Sequence, residues 1–313
     1  MNSSISALPV GSAPQRPWRV LSAQEAAAAA AAHAARVEGW TREHLARRSH
    51  GDSHPVWDFL FDYYSLKPAQ LARWHPGVGT AIAGEDLRAA WRDYHVTTAA
   101  CEGGRPGEPV TAVDVAGLWA RRGASFEFIA DLFAATESNP AHFDCFGLHE
   151  WAMVYRTDTP RHSLPLRLGA VGTNAVVDSH QVRCTHFDAF RFFTPAARPH
   201  NARQLTRDDQ ISCEQSGCLH ATMDLLKWAL KLGPLVPGEV LLDAFALARD
   251  ARRLDMEASP YDCRGLGFGV VPIETPEGKA EYVRRQRALA AEGSRLRARL
   301  SAVVAEARSR AGR

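Results

Sequence analysis

"SLPLRLGAVGTNAVVDSHQVRCTHFDAFRFFTP", residues 163–195, decides how this chain is read. Here Gly-rich turns alternate with β-branched runs, and "GTN" at 172–174 sits between two apolar segments as a turn signal. No other stretch carries such strand signals. The expected fold is therefore mainly α: a helical bundle-like single domain with a small β insertion over about 164–195.

Outward from that stretch the patterns are helical. "SAQEAAAAAAAHAARVEGWTREHLARR" begins with Ser22 and Glu25 spaced as a capping box, in which each side chain satisfies a free backbone N–H of the first turn. Residues 1–19 are expected to be disordered. "SHPVWDFLFDYYSLKPAQLARW" reads as an aromatic-rich helix, 74–84 as a loop, and "GEDLRAAWRDYHVT" as a short helix. A surface turn is expected at 102–109. "TAVDVAGLWARRGASFEFIADLFAATESNP" reads as two helices around Gly123, and "AHFDCFGLHEWAMVYR" (141–156) as one buried helix. A helix stops at Gly233 before Pro234, and a long last helix starts near Pro276. Residues 20–285 are read as the catalytic domain and 286–313 as a basic C-terminal helix.

The chain has 313 residues, 46% of them hydrophobic, enough for a sizeable core. Net charge is only +2, so the whole chain does not advertise nucleic-acid binding. The segment from Gly278 onward nevertheless carries ten Lys/Arg against three Glu. That excess fits either a solvated helix face or a contact with phosphates. Six scattered cysteines, no secretory pattern and no long apolar run lead us to expect reduced thiols, a cytoplasmic protein and no membrane partner.

The chemistry-bearing residues gather in the middle, where seven of the thirteen histidines fall between 142 and 220. In "CFGLHEW", Cys145 and His149 are spaced i, i+4 beside Glu150. In "DSHQVRCTHFDAF", an extended backbone would place His180, Cys184, His186 and Asp188 on one face. In "CEQSGCLHATMD", His220 and Asp224 are i, i+4 on a helix. The repeated C-x-H of Cys184/His186 and Cys218/His220 is too tight for a zinc knuckle, which brackets two or more residues.

Two chemistries fit. Asp188, between Phe187 and Phe190, can activate water against an N-glycosidic bond and stabilise an oxocarbenium charge. His186, His220 and Glu150 would assist it, while Arg183, Arg191, Phe187, Phe190 and Asp224 bind substrate; no cofactor is needed. Alternatively, His149, His186, His220 and Asp224 hold zinc or iron in a metal-dependent hydrolase or non-haem oxygenase. A third reading is a non-catalytic helical protein whose polar groups only organise the core.

The stretches "HPVWDFLFDYYSLKPAQLARWHPG", "CFGLHEWAMVYR", "SHQVRCTHFDAFRFFTP", "EQSGCLHATMDLLKWA" and "IETPEGKAEYV" resemble an actinobacterial protein family that commonly carries the label 3-methyladenine DNA glycosylase. The resemblance covers roughly residues 50–285. It implies a DNA-repair hydrolase acting on DNA or on a nucleobase-containing small molecule. "LKLGPLVPGEVLLDAF" runs helix–Gly-Pro–helix to Asp243 but lacks an L-P-G-x-G hairpin, so Asp188 and not Asp243 is the carboxylate of choice.

Overall fold

The computed structural model describes residues 17–98, 101–102 and 107–313. A first strand, Trp18–Leu21 (β1), precedes helices Ala23–Ser49 (α1), Phe59–Tyr63 (α2) and Pro68–Leu71 (α3). Strands Thr80–Ala83 (β2), Tyr94–Thr97 (β3), Cys101–Glu102 (β4) and Val110–Val113 (β5) follow. The rest is helical: Val115–Ser138 (α4), Leu148–Ala152 (α5), Gly169–Asp178 (α6), Phe187–Phe190 (α7), Gln210–Cys213 (α8), Leu219–Met223 (α9), Leu225–Leu232 (α10), Gly238–Ala258 (α11) and Pro276–Arg310 (α12).

The fold is mainly α, as expected, but its β component lies elsewhere. The sheet has the order β3-β5-β2-β1-β4, with β1 parallel to β2 and β4, and β5 antiparallel to β2 and β3. It is built from short segments near the N-terminus, including parts of the expected loop at 74–84 and of the expected helix after it. Residues 18–19 belong to β1; residues 1–16, and 103–106 of the expected turn, lie outside the described residues.

The expected insertion at 164–195 is instead α6, an irregular connection and the single turn α7. The reason is legible afterwards. In α6 the buried residues are Thr173, Val176 and Val177, a helical i, i+3, i+4 set, while Val171 points outward at 85% exposure. β-Branched content misled; period was the better guide.

Gly123 does not break α4. A Cβ there would lie 2.9 Å from the Trp119 indole, so the glycine makes room for a ring within one continuous helix. The expected helix at 141–156 shrinks to α5, because Phe146 and Gly147 both adopt positive φ just before it. Other local signals hold. Ser22 and Glu25 form the capping box, and the Thr275 hydroxyl accepts from Gly278 N–H at 3.0 Å to start α12. Gly233, at φ 64°, ends α10.

Helix α11 is the axis of the helical part, packed by α12, α9, α10 and α1. Its buried stripe includes Leu241, Phe245, Ala248, Arg252 and Asp255. Part of the basic charge of α12 is matched by carboxylates of other helices: Arg297 pairs with Glu137, Arg308 with Glu127, Arg299 with Asp243 and Arg285 with Glu257. Among the described residues no helix is long and apolar enough to cross a membrane.

Asp58 shows how the N-terminal helices are tied. Its carboxylate accepts from Arg47 at 2.5 and 3.1 Å and from His54 N–H at 2.8 Å, and meets His44 Nδ1 at 2.9 Å. Burial alone would raise its pKa; these donors overcome that and hold it down to about 2. A depressed carboxylate pKa adds stability that is present above the unfolded value, near 3.9, and is lost as pH falls through about 2. Asp58→Asn should therefore cost about 3 kcal/mol at neutral pH in urea unfolding. The gap between wild type and variant should close as pH falls from about 4 towards 2.

Candidate active site and its buried ion network

Two loops set the site. The extended run through Val182 and Cys184 is clamped by the buried Asn201. The Asn201 amide oxygen accepts from Cys184 N–H at 2.8 Å, and its NH2 donates to the carbonyls of Cys184 (3.0 Å) and Arg203 (2.6 Å). This delivers His186 to the interior and starts α7, which carries Asp188. The backbone turns helical at Phe187, so the expected single extended face ends at His186. The second loop precedes α9. The Gln215 amide oxygen accepts from His142 N–H (2.9 Å) and Gly217 N–H (2.7 Å), and Gln286 donates to Gly217 C=O at 2.7 Å. A Cβ at Gly217 would sit 2.4 Å from the His142 carbonyl oxygen, so only glycine fits this crossing. Helix α9 then presents His220 and, one turn on, Asp224.

The side chains form two neighbouring clusters. In the inner one, His149 Nε2 lies 2.8 Å from Asp255 Oδ1, and Arg252 reaches Asp255 Oδ2 (2.8 Å), Glu150 (3.3 Å) and His162 (3.2 Å). Arg252 is 0% exposed. Burial opposes a charge on His149, but the Asp255 carboxylate keeps its imidazole protonated well above the ordinary histidine range. Burial, with Asp255 close by, raises the Glu150 pKa. His220 stands edge-on to His149 at 4.3 Å, and burial together with the charge on His149 keeps it neutral.

In the outer cluster His186 lies between Glu214 (3.2 Å) and Asp224 (3.4 Å). These are ion-pair distances, yet neither ring nitrogen is aligned well enough for a hydrogen bond. Burial works against its charge, and the two carboxylates outweigh it, so His186 is a cation. Asp224, fully buried, also accepts from Tyr64 OH at 2.9 Å and from Lys227 Nζ at 3.0 Å. Lys227 spans onward to Asp188 at 2.6 Å, and Arg191 Nε meets the other Asp188 oxygen at 3.1 Å. Despite partial burial, Lys227 lowers the Asp188 pKa and keeps it ionised.

Asp188 is where this network reaches the surface. It borders a cleft of about 400 Å³ with Tyr63, Tyr64, Arg122, Arg191, Lys227 and Lys231. It also borders a second cleft of about 540 Å³ containing Phe128, Phe187 and Trp228. A third, small cavity joins Asp188 to His220 and Glu150.

The expected catalytic set is therefore divided. Asp188 faces the clefts, and His220 and Glu150 face the small cavity behind it. His186 is buried and can act only by holding Asp224. Of the expected substrate contacts, Arg191 and Phe187 line the clefts. Phe190 is core, Asp224 is sealed, and Arg183 pairs with Asp144 beside a different cavity lined by Cys145, Cys184 and Cys218. His180 turns to the Val176 carbonyl and takes no part. The expected metal quartet splits: His149 and His220 join Glu150 and Asp255, whereas His186 and Asp224 join Asp188. Neither group contains a cysteine, so the paired C-x-H builds no zinc knuckle among the described residues. Sequence reasoning gave Glu214 no role and missed Lys227, Arg252 and Asp255. The last two stand on the buried stripe of α11, and a charge in that register was the available signal.

No protein-family model, curated protein or solved structure matches this chain.

Asn201→Ala removes three hydrogen bonds, two of them buried, and should cost about 2–3 kcal/mol in chemical denaturation. Arg252→Met strands two buried carboxylates and should cost about 3–5 kcal/mol. Arg252→Lys should rescue little, because one ammonium cannot reach Asp255, Glu150 and His162 together.

Proposed function

We propose that the protein is a hydrolase that cleaves the N-glycosidic bond of an alkylated nucleobase, with Asp188 as the reacting carboxylate. The observation that carries this reading is the placement of an ionised Asp188 at the junction of clefts lined by aromatic rings and cations. Tyr63, Phe187 and Phe128 offer faces or edges to a planar base. Arg122 and Lys231 meet no carboxylate within ion-pair distance among the described residues, while Arg191 and Lys227 share Asp188. That surplus of positive charge fits a substrate bearing phosphate, whether a nucleotide or a DNA strand.

The chemistry asks little more of the protein. An alkylated purine is already cationic, so the C1′–N bond can break with its electron pair going to the base and no proton donor. The sugar becomes an oxocarbenium ion, stabilised by the Asp188 carboxylate. Water adds to C1′ and gives its proton to Asp188 or to solvent. Lys227, itself fixed by Asp224, keeps Asp188 ionised and immobile. Asp224, His186 and Tyr64 are positioning residues.

The test is release of free methylated base, followed chromatographically, from methylated DNA and separately from methylated mononucleotides. Wild type should release base from at least one, and Asp188→Asn should slow release by about 10²–10⁴-fold while remaining folded. Lys231→Glu with Arg122→Glu should raise KM more than it lowers kcat. Absence of release from both substrates, or an unimpaired Asn variant, would defeat the proposal.

A further inference from the structure

The inner cluster supports an inference independent of the substrate. We propose that His149, Glu150, His220 and Asp255 form a binding site for one first-row divalent cation of the zinc, iron(II) or manganese(II) kind.

The geometry is the first argument. One donor atom from each of the four residues lies within 4.8 Å of all the others, and all four are buried. A tetrahedron of bonds near 2.1 Å has edges of roughly 3.4 Å, so closure needs a contraction of about an ångström. The donors come from α5, α9 and α11, elements already packed together. Two imidazoles and two carboxylates, without thiolate, suit these metals and not a soft ion such as copper(I).

His220 is the second, independent argument. It is 6% exposed, yet among the described residues neither of its ring nitrogens has a hydrogen-bond partner; its contacts are the rings of His149 and His186. An imidazole at this depth with no protein partner has a lone pair free for a ligand. His220 and Glu150 both line the small cavity shared with Asp188, whose volume of about 10 Å³ is that of one water-sized sphere.

Third, the surroundings already look like support for such an ion. His149 Nδ1 lies 3.4 Å from the Cys145 thiol, so Nε2, paired with Asp255 Oδ1 at 2.8 Å, is the nitrogen that a metal would take in place of its proton. Arg252 holds Asp255 by Oδ2, so Oδ1 stays on the His149 side. Binding displaces the His149 ring proton to solvent; both imidazoles are then neutral, and two carboxylates, one guanidinium and a dication sum to +1. The outer cluster offers three donors, His186, Asp188 and Asp224, and the Lys227 ammonium bridges both of its carboxylates; the inner one offers four, with the Arg252 guanidinium beside Asp255 and Glu150.

The experiment uses the full chain, stripped with chelator and titrated with Zn²⁺ and, for spectroscopy, Co²⁺. Wild type should bind about one ion per chain, gain thermal stability, and show the visible d–d bands of nitrogen- and oxygen-ligated cobalt. His220→Leu keeps a buried side chain where no hydrogen bond is lost, so it should fold; it should bind at least about tenfold more weakly and lose the bands. Glu150→Gln should also weaken binding. Asp188→Asn should leave stoichiometry and spectrum unchanged. The inference is overturned if the wild type binds no stoichiometric metal. It is equally overturned if His220→Leu retains metal while Asp188→Asn loses it, which would place the ion at the outer cluster. None of these readouts involves base release, so failure here is distinct from failure of the proposed activity.

Discussion

A guanidinium sealed from water is the constraint on which this structure turns. Arg252 is buried in α11, and an unpaired charge there would cost several kcal/mol. It is accepted because four parts of the chain converge on it. Asp255 comes from its own helix, Glu150 from α5, His162 from the connection after α5, and the Phe59 ring of α2 lies 3.9 Å beneath its carbon. Each of these partners must be placed before the charge can be tolerated, so the ion cluster fixes the mutual position of helices that apolar packing alone would leave freer.

From that anchor a continuous line of contacts runs outward. Asp255 holds His149; His149 meets His220; His220 stacks on His186 at 5.5 Å; His186 faces Asp224; and Asp224 holds Lys227, which holds Asp188. Arg252 with Asp255, and Asp224 with Lys227, are the same device, a charge pair spaced i, i+3 on a helix. One copy is sealed in the core. The other opens at its far end, where Asp188 borders the clefts. A carboxylate held from behind by a lysine that is itself held by a buried aspartate has little freedom to move. That is the condition under which a charge can be aimed at a substrate.

What the sequence disclosed followed the range of each signal. The Ser22–Glu25 box, the Thr275 cap and the Gly233 stop are contacts within one turn of helix, and they were legible. The sheet was misplaced because Val and Thr in α6 look like strand until their period is counted. The strands themselves, four residues or fewer, are too short to show alternation. At the site, residue types were legible and partnerships were not. His149, Glu150, His186, Asp188, His220 and Asp224 were all marked, but their division into two clusters depends on the packing of α5 against α9 and α11. Lys227 carried no local mark, since a lysine one turn after an aspartate is ordinary on a helix. Only burial makes it notable.

The central claim is that Asp188 is the carboxylate that meets a developing sugar cation in the cleft. The most direct test is a crystal structure of the protein with a cationic iminoribitol that carries a purine-like base, a mimic of the oxocarbenium ion. The account predicts the ring nitrogen within hydrogen-bonding distance of an Asp188 oxygen and the base against Tyr63 or Phe187. A mimic bound elsewhere on the protein, or with its cation turned away from Asp188, would contradict it.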